Sequence, residues 1–151
     1  MEIVVLEPLG IDKSLFLEIA NKNFGEDVNI TYYDDRREDP VTLIKRSAGA
    51  DIVVISNIPY GKDVMIKNPN LKMLCVAFTG VDHIDMDYCR ANNIAVSNAA
   101  GYSNTSVAEL VFGLSIAVMR KIVSCDLVIR KGGTNRELVG NELSGKKFGI
   151  V

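Results

Sequence analysis

Five short apolar runs, parted by helical or polar stretches, constrain this chain more than any other feature in it. They are Ile3–Leu6, Val28–Tyr33, Asp51–Ile55, Met73–Phe78 and Ile94–Ser97. The third is apolar without alternation after its first residue, which predicts burial on both faces, as in a parallel strand. Between the runs, Leu15, Phe16, Ile19 and Ala20 form a helical stripe within Asp12–Lys22. Val41–Ala48 predicts a short helix that Gly49 closes, and Met86–Asn92 predicts another. Strands alternating with helices predict an α/β fold, a doubly wound parallel five-stranded sheet of flavodoxin-like size. Ligands of such sheets bind beyond the carboxyl ends of the strands, so the loops there are the first place to look.

The chain has 151 residues, 48% of them hydrophobic and 24% charged, with a net charge of −2. That suffices for one core, and it lacks the basic patch that nucleic acid or an anionic membrane would demand. Neither is expected as a partner. No apolar run reaches the length of a membrane span, and MEIVVLEPLG has no secretory leader. Cys75, Cys89 and Cys125 are odd in number and lack paired spacing, which predicts reduced thiols and a cytoplasmic protein, with Cys75 as buried filler.

The pattern changes after the fifth run. Ser106 and Glu109 fit a capping box, and nearly every position from Val107 to Val118 is apolar. A helix apolar all round has to be buried all round, and one five-stranded domain has no room for that. This helix is therefore expected between domains or subunits, with Gly113 permitting close backbone approach. A further helix is expected over Ser124–Lys131, ended by Gly132-Gly133. Phe148-Gly149-Ile150-Val151 begins another β-type run without an end, a turn or a partner, so the chain is expected to be the front part of something longer.

Candidate chemistry gathers at the predicted carboxyl edge. Thr79-Gly80-Val81-Asp82 follows the fourth run, where glycine lets successive N–H groups point outward as a nest for a carboxylate or phosphate. A plain strand-to-helix turn, capped by Asp82 or Asp85, is the better reading of a Thr-Gly pair alone. Asn57–Gly61 follows the third run and forms either one wall of a cleft or a simple Pro-Gly turn. Asn98 and Tyr102 flank the loop after the fifth. The one histidine, His83, has only Asp82 and Asp85 as local acidic neighbours, which predicts a solvated or capping role. Asp34–Pro40 reads as a solvated mixed-charge turn. A phosphoacceptor receiver domain would need an acidic cluster where Glu7-Pro8 stands and an Asp where Ser56-Asn57 stands. Metal-ligand spacing, G-x-S-x-G, G-x-G-x-x-G and Walker patterns are all absent from the sequence.

Thr-Gly-Val-Asp-His-Ile-Asp from Thr79, Ile-Ala-Val-Ser-Asn from Ile94, Gly-Tyr-Ser from Gly101, Ser-Val-Ala-Glu from Ser106 and Leu-Ser-Gly-Lys-Lys-Phe-Gly-Ile-Val from Leu143 are familiar in this order. Together the motifs resemble the D-isomer-specific 2-hydroxyacid dehydrogenases, the family of phosphoglycerate and glycerate dehydrogenases. The resemblance covers the whole chain and is strongest from Leu74 onward. It implies that residues 1–99 are a substrate-binding (lid) domain. Residues 100–151 would then be an interdomain helix, a dimerisation segment over 107–140, and the first strand of a truncated Rossmann domain.

By the same resemblance, N–H groups around Gly80 and Val81 hold the substrate carboxylate. Asn57, Ile58 and Tyr102 line the cleft, Thr79 lies beside the cofactor, and Val107 lies near the nicotinamide. The cofactor implied is NAD, with NADP not excluded, and the substrate is a small 2-hydroxy or 2-keto acid. The family's catalytic Arg, Glu and His all come from the nucleotide domain, so none has a counterpart within these 151 residues, and this chain is expected to be inactive alone. An alternative of another class is a free-standing interaction or dimerisation module that uses the apolar helix as its interface.

Overall fold

The computed structural model describes residues 1–150. They fall into two units, Met1–Tyr102 and Ser103 onward, a division three residues later than the expected boundary. The first unit is the expected five-stranded parallel sheet. Its strands are β1 (Glu2–Val5), β2 (Asn29–Tyr32), β3 (Ile52–Ile55), β4 (Met73–Val76) and β5 (Ala95–Asn98), in the spatial order β2-β1-β3-β4-β5. The order reverses at β1, which makes β1 and β3 the switch point.

Helices α1 (Lys13–Phe24), α2 (Pro40–Ser47), α3 (Lys62–Met65) and α4 (Met86–Ala91) connect the strands. The first two begin on Asp12 and Asp39, whose carboxylates accept from Ser14 N and Thr42 N. The Ser14 hydroxyl, which also donates to Asp12, and then the Ser14 N–H lower the Asp12 carboxyl's pKa, and the Thr42 N–H lowers that of Asp39. Each cap satisfies one of the free N–H groups of a first turn. Gly49 sits just past α2 at φ +78°, the left-handed position glycine takes without penalty. The four-residue α3 has too little periodicity to be read from sequence.

The centre of the sheet, β1 and β3, is buried on both faces. On one, Val4, Leu6, Val53, Ile55, Leu74 and Val76 pack with Leu43 of α2, Met65 of α3 and Cys89 of α4. On the other, Ile3, Val5 and Val54 pack with Phe16 of α1. Cys75 is only half-buried on this second face, so it is less enclosed than expected. Among the described residues all three cysteines are free.

The second unit carries α5 (Asn104–Met119) and α6 (Ile122–Arg130). The expected capping box does not form. Ser103 is the N-cap residue, its carbonyl accepts from Val107 N, and Ser106 lies inside the helix. Lys121 takes a left-handed conformation at φ 53° and turns the chain into α6. Gly140 then passes so close to the end of α5 that a Cβ there would lie 2.5 Å from the Met119 carbonyl oxygen. Phe112 and Phe148 stack with ring centroids 5.7 Å apart. No residue of α5 is buried, and nothing approaches Gly113 within 4 Å among the described residues. Phe148–Ile150 form no strand, since no described segment pairs with them, and Val151 lies outside the described residues. No helix among the described residues is long and apolar enough to cross a membrane.

Candidate functional site

The parallel register sets the loops after β1, β3, β4 and β5 side by side. Val5 pairs with Val54, Ile55 with Val76, and Val76 with Asn98. The β3 and β4 loops meet again farther out, where Tyr60 bridges to Ile84 and Tyr60 N donates to the His83 carbonyl at 3.1 Å. The loop that carries Asn57 therefore runs beside the Thr79–Val81 loop, and the two are pinned together at both ends.

The β5 end sets the direction of the Thr79–Val81 backbone. Ala99 N donates to the Phe78 carbonyl at 3.0 Å, and Asn98 Nδ2 donates to the Thr79 carbonyl at 2.7 Å. In a trans peptide the N–H points opposite to the C=O. The N–H groups of Thr79 and Gly80 consequently face away from β5. Among the described residues neither these two nor the Val81 N–H has a partner within the chain.

Gly80 is not held in a left-handed conformation, contrary to the expectation that a glycine-only turn builds the nest. A Cβ on it would meet only Asp82 Oδ2, at 3.7 Å. The chain's own packing does not require glycine at this position, and the space in front of it is open. The turn is also capped as the plainer reading expected, since Asp85 accepts from Tyr88 N at 2.8 Å and starts α4. The cap uses Asp85 and leaves the earlier N–H groups without a partner among the described residues.

The β3 loop forms a second nest, and the chain's own carboxylate fills it. Glu7 is 1% exposed, and its Oε1 accepts from the N–H groups of Ser56 (2.7 Å), Asn57 (2.9 Å) and Ile58 (3.0 Å). Its Oε2 pairs with Arg36 Nη1, which also donates to Asn57 Oδ1. The Asp34–Pro40 segment is thus no purely solvated turn. A buried carboxylate needs hydrogen bonds and a counter-charge, and Arg36 supplies the latter. No motif marks this network, though an isolated Glu directly after an apolar strand is the signal that points to it.

The expected site residues separate into three groups. Asn57, Thr79, Gly80 and Val81 share the carboxyl edge. Ile58 stands there too, but its side chain is fully buried in the core and its N–H is taken by Glu7. Tyr102 is exposed and borders a different hollow of about 640 Å³ beside Phe16, Cys75 and Ser97. That hollow is largely apolar and holds no charged side chain. Val107 belongs to the second unit, on the exposed surface of α5. His83 is half-buried, with Nε2 enclosed and unpartnered among the described residues, so it neither caps a helix nor stands in solvent. Among those residues no group of His, Cys, Asp and Glu is placed to hold a metal ion.

The family model for the D-isomer specific 2-hydroxyacid dehydrogenase catalytic domain matches residues 3–141. The chain belongs to this family. It is 35% identical over 153 aligned positions to D-3-phosphoglycerate dehydrogenase of Methanocaldococcus jannaschii, an alignment covering 100% of this chain and 28% of that protein. It is 35% identical over 97 residues to glycerate dehydrogenase of Methylorubrum extorquens, covering 64% of this chain and 31% of the relative. A solved acyclic imino acid reductase in complex with NADPH and D-Arg superposes with a TM-score of 0.78 at 29% identity, covering 95% of this chain and 46% of that one. The chain thus spans about a third or less of the curated relatives' length, and just under half of that reductase. Homologues within the family are oxidoreductases of 2-hydroxy acids.

Proposed function

We propose that this chain is the substrate-binding part of an NAD-dependent oxidoreductase that moves hydride between the cofactor and the 2-carbon of a D-2-hydroxy or 2-keto acid. The free, outward-facing Gly80 N–H at the carboxyl edge carries this reading, with the partnerless Val81 N–H beside it. A carboxylate there would receive charge-assisted hydrogen bonds from groups already oriented, and no side chain would need to move. The open space before Gly80 admits the ligand.

In this proposal Asn57 and Tyr102 border the substrate from two loops of the carboxyl edge, while the buried Ile58 fixes the loop that carries Asn57. Thr79 and Val107 lie beside the nicotinamide. Residues 1–99 act as the lid, and the 107–140 segment joins two copies. NADP would serve in the same manner as NAD. A dinucleotide's pyrophosphate is ordinarily cradled by a glycine-rich strand-to-helix turn, and these 151 residues contain none. They do not by themselves fit the cofactor, and the proton-transferring groups lie elsewhere too.

Two measurements test the proposal. Purified chain mixed with NADH and glyoxylate should show no loss of nicotinamide absorbance above the uncatalysed rate. Titration with glyoxylate, followed by amide NMR, should shift Gly80 and Val81 selectively. Turnover in the first experiment, or unmoved Gly80 and Val81 signals in the second, would refute it.

A further inference from the structure

We infer that Glu7 and Arg36 are positioning residues that lock the Asn57 side chain, so that its Nδ2 offers a neutral hydrogen-bond donor to the tail of the substrate. This rests on the reading that the Gly80 segment holds the carboxylate. The argument begins with donor inventory. A guanidinium can only donate, so the Asn57 atom facing Arg36 Nη1 must be the carbonyl oxygen. The amide nitrogen is thereby turned the other way. Asn57 is exposed, and among the described residues Nδ2 donates to nothing.

The lock is anchored from behind. The Glu7 carboxylate is buried and tied to three consecutive N–H groups of the β3 loop, so its position is set by the fold. Arg36 is held by that carboxylate through Nη1 and by Glu38 through Nε and Nη2. Its remaining contact is the Asn57 carbonyl, at 3.5 Å. Most of the guanidinium's donors are thus committed within the chain.

This occupancy decides the chemistry of the subsite. Two carboxylates, Glu7 and Glu38, stand against one guanidinium, so the local charge does not favour a phosphate or a second carboxylate. What remains is one neutral donor on the loop that runs beside the Gly80 segment. It suits a short 2-keto or 2-hydroxy acid whose tail ends in an uncharged oxygen, such as a hydroxyl.

Hydroxypyruvate and pyruvate differ only in that hydroxyl, and 3-phosphohydroxypyruvate carries the phosphate instead. Amide NMR titration of the chain with all three, and with tail-less glyoxylate, tests the inference. The expected result is hydroxypyruvate binding about 3- to 10-fold tighter than pyruvate, the worth of one neutral hydrogen bond. The phosphorylated acid should bind more weakly than hydroxypyruvate, and the Asn57 side-chain NH2 signals should shift only with hydroxypyruvate. In Asn57→Asp, which keeps an oxygen for Arg36 but loses the donor, the added charge should weaken both acids and the preference for hydroxypyruvate over pyruvate should vanish. In Arg36→Lys, which keeps a cation for Glu7 but not the fork that holds Asn57, the preference should fall toward one with the amide spectrum of β3 and β4 intact. Equal binding of hydroxypyruvate and pyruvate by the natural chain, tighter binding of the phosphorylated acid, or an undiminished preference in either variant would overturn the subsite alone. Failure of glyoxylate to shift Gly80 would overturn the carboxylate reading, and the subsite with it.

Discussion

Asn98 Nδ2 reaches the Thr79 carbonyl at 2.7 Å, and this single bond sets which way the next N–H points. The last residue of β5 thereby aims a donor that belongs to the loop after β4. Asn98→Ala frees the peptide to rotate and disperses that aim. Because Asn98 is exposed, the substitution should cost less than about 1 kcal/mol of stability. Glyoxylate affinity should fall about 10-fold, the scale of one charge-assisted hydrogen bond. Thermal unfolding and an NMR titration of the same sample separate the two effects. A large loss of stability with unchanged affinity would show that Asn98 only fastens the sheet edge.

Gly80 gives the converse test. Its backbone is open to any residue, and a Cβ would meet nothing closer than Asp82 Oδ2 at 3.7 Å. Gly80→Ala should therefore leave stability unchanged or raise it by about 0.4–1 kcal/mol, because alanine narrows the unfolded ensemble. Ligand affinity should nevertheless drop, since the methyl group enters the space before the donors. Denaturant unfolding beside the same titration checks this. Unaltered glyoxylate binding by a folded Gly80→Ala chain would place the ligand elsewhere.

The same residues show why some features were legible in the sequence and others were not. Five strands and their order along the chain follow from apolar runs and turn residues, because parallel strands carry local, repetitive signals. Strand ends shifted by one or two residues, since ladders end where the neighbouring strand ends. The α5 cap moved from Ser106 to Ser103 because a capping box is a pattern of side chains, whereas the helix starts where the chain first turns. Thr79-Gly80-Val81 was visible as a motif, but the reason for its glycine was not. Its backbone is not left-handed, and a Cβ there would meet only Asp82 Oδ2, so neither strain nor crowding within the chain calls for glycine. The Glu7–Arg36–Asn57 network joins residues up to 50 positions apart, as in the Asn57 N to Glu7 bond, and no local pattern encodes such a contact.

Tyr60 predicts an alkaline limit. Its side chain is fully buried, and the hydroxyl has no hydrogen-bond partner among the described residues. Burial pushes its pKa up to about 12, against a smaller lowering from Ser47. Ser47 tempers the shift from nearby without reaching hydrogen-bond geometry, its Oγ donating instead to the Leu43 carbonyl. The unfolded chain loses this proton near pH 10 and the folded chain only near 12. Below pH 10 both states hold it and stability is full; as pH rises between the two values the unfolded state gains. The loss should approach roughly 2–3 kcal/mol as pH passes 12. The half-buried Cys75 and buried Cys89 thiols, also pushed up by burial, act with the same sign from about pH 9. Tyr60→Phe should remove the tyrosine's share of the alkaline slope and, by deleting an unpartnered hydroxyl, cost little or nothing at neutral pH. Urea unfolding at a series of pH values checks both. An unchanged slope in the variant would assign the alkaline limit to other groups.

The α5 surface makes the last prediction. Leu110, Phe112, Leu114 and Val118 are each more than half exposed on a helix without a buried residue. Water does not tolerate a contiguous apolar surface of this kind without association, and two identical copies offer the simplest complementary cover. The 107–140 region is accordingly expected to hold a homodimer. Sedimentation velocity across roughly a hundredfold range of concentration should show a mass shift from one to two chains. Leu110→Glu with Leu114→Lys should abolish that shift while leaving the β-sheet amide signals in place, because α5 belongs to a separate unit from the sheet. A monomer at every concentration would remove self-association as the role of this surface. A dimer insensitive to both substitutions would move its interface off α5.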